Sequence, residues 1–357
     1  MKNLLYLLIL AILGTGVYFL IFKEKSNPFG AKEAGFTIKD TSQVGKIFIA
    51  LHSGEHVTVE RKSGYWMVNN EYKALPSTVR MVLYTLQSQI AVCPSTKAAY
   101  NNVVKELSTD GIKVEVYDLK GEKMSTFYVG GSTTSNDGTY MLMDGASQPY
   151  IVQTPGFVGD LRPRYTVAKK DWRDRTVFDI PAEKLKSVSV SYVTNPINSF
   201  VLERTNNGYD VKGDPSVTKN LDTLNRGRIQ RYITFFSNVN CEGYVNGYED
   251  VDSTFKMTKK RADLDIETVD NQKYHVGIFW MPLNKRSKNR IMANEDAPDD
   301  YDADRMYAVY NENKDTAMIQ MLMFEKLLRR AYEFYTPDEA GKTPERAKNA
   351  LINKNGH

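Results

Sequence analysis

The sequence predicts an α+β protein: two tandem-duplicated units of antiparallel sheet plus amphipathic helix, preceded by one N-terminal transmembrane helix. Three observations lead to this prediction. The chain has 357 residues, enough for about two domains. Its N-terminal region contains a long uncharged stretch. Its strand and helix patterns occur twice along the chain, in the same order.

Composition excludes several classes of protein. Hydrophobic residues make up 41% and charged residues 25%, which is typical of a globular chain and not of a disordered one. Lys and Arg outnumber Asp and Glu by 47 to 43, a surplus too small to indicate nucleic-acid binding. The 2 cysteines exclude a disulfide scaffold and a four-cysteine zinc module, and the 4 histidines do not favour an all-histidine metal site.

The N-terminal stretch from Leu4 to Phe22 contains no charged residue and lies between Lys2 and Lys23. As a helix it would span roughly 28 Å, close to the hydrocarbon thickness of a bilayer. Because no small-x-small cleavage site follows closely, we expect an uncleaved signal-anchor, with a cleaved signal peptide as the alternative. The positive charges on the two sides of the stretch differ little in number, but the short N-terminal flank favours an orientation with the N-terminus inside the cell and the large domain outside the membrane. In a bacterium this predicts a single-pass inner-membrane protein with its large domain in the periplasm.

Matching segments indicate the duplication. The strand with Glu60 and Arg61 recurs at Glu203 and Arg204. An apolar helical stripe and two hairpins recur after it, in the same order. The spacing between matched positions grows only at polar segments, as expected of loop insertions. The matched positions are Val79, Val82, Leu83 and Leu86 with Ile229, Tyr232, Ile233 and Phe236 in the helix, and Tyr140 and Val152 with Tyr307 and Ile319 in the last hairpin.

Each unit is predicted to contain a strand, a hairpin, a helix and two further hairpins, with the helix covering one face of the sheet. Ser77 is the expected N-cap of the first helix. A terminal helix is predicted in the second unit from about Thr316 to Tyr335, whereas Pro155 and Pro163 disrupt its counterpart in the first.

These patterns divide the chain into five parts. We assign 1–34 to the transmembrane signal-anchor and tether, 35–165 to the first α+β unit, 166–183 to a linker, 184–336 to the second α+β unit, and 337–357 to a polar tail.

The linker contains the segment Asp171–Asp179, which reads Asp-Trp-Arg-Asp-Arg-Thr-Val-Phe-Asp. A tryptophan followed by Arg-Asp-Arg, an apolar pair and Asp resembles the signature of the DUF4340 family. The N-terminal anchor and the Glu60-Arg61 strand fit the same pattern. The resemblance implies a membrane-anchored bacterial envelope protein with an accessory role, since family members tend to occur beside ABC-transporter components. It supplies no catalytic residue.

Within the linker, we expect Trp172 to lie in the junction between the units, with Arg173 and Arg175 paired to nearby aspartates. The alternative is an anion clamp made by the same tryptophan and arginines. Cys93 and Cys241 fall near the same place in the two units, just beyond each long helix. A disulfide between them is one hypothesis, and two separate buried thiols are the alternative.

No catalytic, cofactor-binding or metal-ligating residue is predicted, and no cofactor. Ser216 and Lys219 match the S-x-x-K pattern of serine enzymes, but the partner motifs of those enzymes are missing. The glycine-rich segment 130–138 lacks the Gly-Lys-Ser/Thr of a phosphate loop, and we expect a flexible loop there. His52 and His56 are expected to be surface residues.

The second unit exceeds the first by an insertion within Pro282 to Asp302, which is first basic and then acidic. Such an insertion could make a partner contact, but a tolerated loop is the simpler interpretation. Asp300, Asp302 and Asp304 alternate as calcium ligands can, without the glycine and glutamate of an EF-hand. A solvated acidic loop is therefore favoured over a calcium site.

We expect a non-enzymatic membrane-anchored envelope protein, an accessory or scaffold component that interacts with an ABC transporter or another envelope complex. The alternative is an extracytoplasmic ligand-binding module with a site between the two units. A hydrolase is disfavoured, because neither a nucleophile–base pair nor metal-ligand spacing is present. The expected partners are the membrane, through the N-terminal helix, and a protein of the envelope, but no nucleic acid.

Overall fold

A computed structural model describes the greater part of the chain as a mixed α/β protein with mainly antiparallel sheets. It divides into two compact units between Asp174 and Arg175. The predicted anchor from Leu4 to Phe22 and the tail 337–357 lie outside the described residues, none of whose helices is long and apolar enough to cross a membrane. The described residues are 30–218, 221, 223–246, 258–283, 301–312 and 314–335.

The first unit is built on a nine-stranded antiparallel sheet with the order β4-β3-β2-β1-β6-β7-β8-β9-β5. Two helices accompany it, α1 (Pro76–Ser88) and α2 (Lys97–Asp110). The strands are β1 (Val44–Leu51), β2 (His56–Arg61), β3 (Trp66–Val68), β4 (Tyr72–Lys73), β5 (Ile90–Pro94), β6 (Ile112–Asp118), β7 (Lys123–Ser132), β8 (Thr139–Met143) and β9 (Tyr150–Gln153).

The second unit is built on an eight-stranded antiparallel sheet with the order β13-β12-β11-β16-β17-β18-β19-β15, accompanied by helix α3 (Arg226–Ile233). Strands β10 and β14 form a separate pair. The strands are β10 (Thr176–Phe178), β11 (Leu185–Tyr192), β12 (Phe200–Thr205), β13 (Gly208–Gly213), β14 (Val239–Asn240), β15 (Gly243–Tyr244), β16 (Lys260–Thr268), β17 (Lys273–Pro282), β18 (Tyr301–Tyr310) and β19 (Asp315–Gln320).

Short helices complete both units. The one-turn α-helices are Ala31–Ala34, Lys169–Trp172, Pro215–Thr218 and Met321–Phe324, and the 3₁₀ turns are Thr41–Gln43, Arg162–Tyr165, Ala182–Lys184, Pro196–Asn198, Thr234–Phe236 and Ala331–Phe334.

Each core lies between one face of a sheet and the helix predicted to cover it. In β1, Ile47 and Ile49 point inward and are fully buried, whereas Phe48 between them faces outward. The apolar stripe of α1 packs into the first core and that of α3, continued by Phe236, into the second, as the spacing predicted.

Apart from the edge strand β4, which has no counterpart in the second sheet, the strand orders of the two sheets correspond, and so do the registers of their central strands. Ile47 pairs with Val116 in the first sheet as Val188 pairs with Ile266 in the second, and each central strand has a register shift just before this pair. In the last hairpins, Tyr140 pairs with Ile151 and Tyr307 pairs with Met318. The pairing of the strands therefore makes Tyr140 equivalent to Tyr307, as the sequence pattern predicted.

Three local predictions were wrong. Ser77 is not the N-cap of α1, because Pro76 already occupies the first helical position and Leu75 precedes it. The region from Thr316 to Tyr335 is not a helix, because Asp315–Gln320 pairs on both sides within the sheet. The glycine-rich segment 130–138 is not a flexible loop: its first residues belong to β7, and the rest form a hydrogen-bonded turn.

The segment 166–183 joins the two compact units without being a separate structure. Trp172 is fully buried within the core of the first unit, and its indole Nε1 donates a 2.8 Å hydrogen bond to the carbonyl oxygen of Thr166. Thr176–Phe178 pairs with β14 in the second unit. The placement of Trp172 at a junction is thus corrected: its large apolar ring fills the interior of one unit.

Candidate functional site

Charged, polar and aromatic side chains lie together on the outward face of the first sheet. A concavity of about 570 Å³ lies over strands β1, β2 and β6, and we call it the outer-face groove. Its side chains come from positions that alternate with the buried core residues, because successive residues of a strand point to opposite faces. The lining residues are Lys46, Phe48, His56, Thr58, Glu60, Asn69, Asn70, Glu115 and Tyr117.

One wall of the groove is held by the turn between β3 and β4. The Asn69 side-chain oxygen accepts a 2.7 Å hydrogen bond from the backbone N of Thr58, and the Asn69 backbone N donates to the Thr58 oxygen at 2.8 Å. Asn69 and Asn70 have φ of 51° and 55°, a left-handed conformation that asparagine tolerates better than most residues. These contacts fix the wall against the sheet.

Glu115 lies at the other side of the groove as a largely buried carboxylate, 8% exposed. Its Oε1 lies 2.9 Å from the Nζ of Lys113 and 3.0 Å from that of Lys123, and the hydroxyl of Tyr117 donates to its Oε2 at 2.6 Å. Burial alone raises the pKa of Glu115, but the hydrogen bonds from Tyr117 and the two lysines outweigh it and lower the pKa to about 2. The carboxylate therefore stays ionised at neutral pH.

Lys46 and Tyr117 supply a cation and an aromatic ring beside this carboxylate. The Lys46 ammonium lies 4.0 Å from the centre of the Tyr117 ring, a cation–π contact. Among the described residues, no carboxylate lies within salt-bridge distance of Lys46; Glu60, its cross-strand neighbour, is paired with Lys62 at 2.9 Å. The hydrogen bond to Glu115 raises the pKa of Tyr117, so its phenol stays neutral. The groove thus offers a positive charge, a ring and polar side chains, an arrangement suited to binding.

Replacing Glu115 by glutamine is expected to lower the free energy of unfolding of the first unit by about 2 kcal/mol at pH 7, because the two lysines lose their shared partner. The folded pKa lies below the ordinary value of 4.5, so the stabilisation is present above pH 4.5 and is lost as the pH falls towards 2. Urea unfolding, followed by tryptophan fluorescence between pH 3 and 7, measures this difference. The exposed variant Glu122→Gln is the control, and an equal loss from Glu115→Gln at pH 3 and pH 7 would refute the role of the ion cluster.

The corresponding face of the second sheet has different chemistry. By register, Ser187 and Ser189 occupy the positions of Lys46 and Phe48. Asp265 stands where Glu115 does, but it is about half exposed, and its Oδ1 lies 2.7 Å from the Nδ1 of His275. The second unit therefore lacks a lysine and an aromatic ring at these two positions, although Lys260 lies 5.5 Å from the centre of the Phe279 ring on the same sheet. A concavity of about 470 Å³ lies on the second unit; His275, Lys273, Tyr274 and Tyr310 are among its lining residues.

The cysteines are not joined. Both are free thiols, with Cys93 exposed and Cys241 buried. Their positions in the two sheets also differ. Cys93 pairs with Ile151, whose equivalent in the second unit is Met318. Met318 pairs with Gly243, which lies two residues beyond Cys241. The hypothesis of a disulfide between equivalent positions is therefore wrong.

The remaining sequence signals do not assemble a reactive site. The Ser216 hydroxyl donates to the Asp214 carboxylate at 2.5 Å, within a local turn, and Lys219 lies outside the described residues. Asp302 is buried and accepts hydrogen bonds from two backbone N–H groups at the start of β18, while Asp300 lies outside the described residues. His52 and His56 are both exposed, as expected.

The groove itself was missed by the sequence analysis. Its residues come from strands that lie far apart along the chain, so no local motif unites them. A usable signal was present in β6, where Lys113, Glu115 and Tyr117 alternate with Val114 and Val116. Such alternation assigns the polar set to one outward face once the strand is recognised.

Comparison with known proteins identifies the family. The family model described as "Domain of unknown function (DUF4340)" matches residues 54–263, more than half of the chain. No curated protein and no solved structure matches the chain significantly. The matched residues include strand β2, helices α1 and α3, and the segment Asp171–Asp179. The chain therefore belongs to the DUF4340 family.

Proposed function

We propose that this chain is a non-enzymatic protein of the bacterial envelope, held in the inner membrane by Leu4 to Phe22 with its large domain in the periplasm. There it acts as an accessory or scaffold component that binds an ABC transporter or another envelope complex. One observation carries the protein-binding part of the proposal. In the outer-face groove the Lys46 ammonium lies on the Tyr117 ring, and no carboxylate of the described residues is within salt-bridge distance of it.

The chemistry of the groove favours a protein partner over a reaction. The groove is lined mainly by polar and charged groups, whereas small-molecule sites are predominantly apolar and enclose their ligands. Glu115 is held ionised by three donors and Tyr117 is held neutral, so neither is poised as a general acid or base near pH 7. A partner that places a carboxylate against Lys46 would neutralise the charge of the ammonium group, and the rings of Phe48 and Tyr117 would add contact area.

The two units are further proposed to descend from one ancestral unit by duplication. The corresponding strand orders and registers support this, as does the matching register shift in β1 and β11. Duplication followed by divergence explains why Lys46 and Phe48 on the first unit correspond to serines on the second. A partner surface would then have been gained or kept on one copy.

Photo-crosslinking in living cells tests the proposal. A photoreactive phenylalanine analogue at position 48 should yield crosslinks to an envelope protein, because Phe48 lines the groove. The matched control carries the analogue at Ser189, the position equivalent by register in the second unit. The variant Lys46→Glu should reduce the crosslink at position 48 by about tenfold, since a like charge replaces the attractive one.

The same cells test anchoring. The chain should remain with the membrane after extraction with alkaline carbonate, because a transmembrane helix resists it. Equal crosslinking from positions 48 and 189, or crosslinks unaffected by Lys46→Glu, would contradict the role of the groove. Release of the chain by carbonate would contradict the anchor alone.

A further inference from the structure

The first described residues fix the point at which the N-terminal region joins the first unit. The carboxylate of Glu33 accepts two hydrogen bonds from Ser147, one from the backbone N at 3.1 Å and one from the hydroxyl at 2.9 Å. Ser147 lies in the turn between β8 and β9. Phe36, a little further along the chain, is fully buried in the core. The described chain therefore begins beside the β8–β9 turn.

Two further turns lie at this same end of the sheet. The backbone N of Asp144 donates to the oxygen of Thr126 at 3.0 Å, which places the β8–β9 turn beside the start of β7. Asp118, the last residue of β6, pairs with the first residue of β1, and Glu60 in β2 pairs with the third. This end, which we call the near end, is formed by the turns 62–65, 119–122 and 144–149.

The near end presents large apolar side chains to solvent. Leu119 is 57% exposed at the tip of the β6–β7 turn, Tyr65 is 44% exposed in the β2–β3 turn, and Met124 is 40% exposed at the start of β7. The β6–β7 turn is well ordered, because the Asp118 carboxylate accepts 2.8 Å hydrogen bonds from the backbone N–H groups of Lys120 and Glu122. The backbone of the turn thus presents Leu119 to solvent.

The length of chain before the described residues limits how far this end can be from a bilayer. Only the segment 23–29 separates the uncharged stretch ending at Phe22 from Gly30. Fully extended, that segment reaches roughly 25 Å. Exposed leucine and tyrosine beside Lys120 match the composition of interfacial contacts, in which apolar side chains enter the headgroup region and lysines meet lipid phosphates. Lys62, at the same end, is paired with Glu60.

We propose that the near end of the first unit rests on the lipid bilayer, with Leu119 and Tyr65 entering the headgroup region. The inference rests on the proposed anchor, and adds to it that the first unit has a fixed orientation on the membrane. Two arguments choose lipid as the occupant: the chain joins the unit at this end, and the tether is short. The opposite end supplies a matched reference, since Val158 is 83% exposed in the segment that follows β9.

The test uses the full chain in liposomes of phosphatidylethanolamine and phosphatidylglycerol. In a Cys93→Ser background, which removes the exposed thiol while Cys241 stays buried, Leu119→Cys and Val158→Cys are each labelled with a nitroxide. Collision with a water-soluble paramagnetic reagent and with oxygen is then measured. We expect the label at 119 to be about threefold less accessible to the aqueous reagent than the label at 158, and more accessible to oxygen, because oxygen concentrates in lipid.

Flotation of the liposomes before the measurement separates the two proposals. If the chain floats and the label at 119 is as accessible to the aqueous reagent as the label at 158, the bilayer contact is refuted and the anchor stands. If the chain does not float, the anchor is refuted and the contact with it. A Tyr65→Cys variant provides a second label at the near end, and a protected label there as well supports the contact.

Discussion

Replacing Trp172 by alanine is expected to lower the free energy of unfolding of the first unit by about 3–5 kcal/mol. The indole is fully buried in the first core, and the mutation removes both its volume and the hydrogen bond from its Nε1 to Thr166. The backbone oxygen of Trp172 also accepts a 2.6 Å hydrogen bond from Leu75, which leads into α1. Urea unfolding followed by circular dichroism, in parallel with wild type, measures the change.

Two companion variants separate packing from hydrogen bonding. Trp172→Phe keeps much of the ring volume but leaves the Thr166 oxygen without its donor, so a smaller loss is expected than for alanine. Lys170→Ala, in the same short helix but exposed, should change stability by less than about 0.5 kcal/mol. If Trp172→Ala destabilised the chain no more than Lys170→Ala, the core position of the tryptophan would be refuted.

Replacing Phe236 by alanine is expected to lower the free energy of unfolding of the second unit by about 3–5 kcal/mol. The ring is fully buried, with its centroid 5.2 Å from that of Tyr232 in a T-shaped contact and 6.0 Å from that of Phe178 in a stacked one. Such pairs add to the area that each ring buries. Removing the ring leaves a cavity at the centre of an aromatic cluster.

The neighbouring Phe235 is the matched control, because it has the same side chain but is only half-buried. Phe235→Ala should destabilise the chain by about half as much or less, in proportion to the apolar area that it buries. Both variants are measured by the same urea titration as wild type. Equal effects at the two positions would show that the burial of Phe236 is not what stabilises the second core.

The parts of the fold that the sequence predicted correctly are those with a strong local period. In α1, Val79, Val82 and Leu86 follow the helical period, and they lie on the buried face. The last hairpins were also placed correctly, because their strands alternate and a turn pair such as Asn311-Glu312 separates them. Both residues of that pair have positive φ, and asparagine adopts this conformation more readily than most residues.

Helix α2 was not predicted, because few of its side chains are buried. Only Val103 and Leu107 of its 14 residues are buried, so its apolar stripe is too thin to stand out. A start signal was nevertheless present, since the Thr96 hydroxyl caps the backbone N of Ala99 at 3.2 Å. The terminal helix predicted from about Thr316 was wrong for a different reason. Phe324, Leu328 and Tyr332 are four residues apart, as in a helical stripe, but only the one-turn helix Met321–Phe324 and the 3₁₀ turn Ala331–Phe334 form in this region.

The outer-face groove could not have been predicted in full, because its charges depend on register. Glu115 meets Lys113 along its own strand, but it meets Lys123 only because β7 folds back beside β6. A shift of one residue in that pairing would send Lys123 to the other face. Local periodicity identifies outward positions, whereas long-range pairing decides which of them become neighbours.

The central position of the first strand in each sheet has a kinetic consequence. Val44 pairs with Asp118, and Leu185 pairs with Thr268. Neither sheet can therefore form completely until its first strand pairs with a strand from much further along the chain. Contacts this distant slow folding, because loop closure precedes any gain from pairing. Until the later strands of a unit are present, its early hairpins have an unpaired edge, and assistance by a chaperone would matter most at that stage.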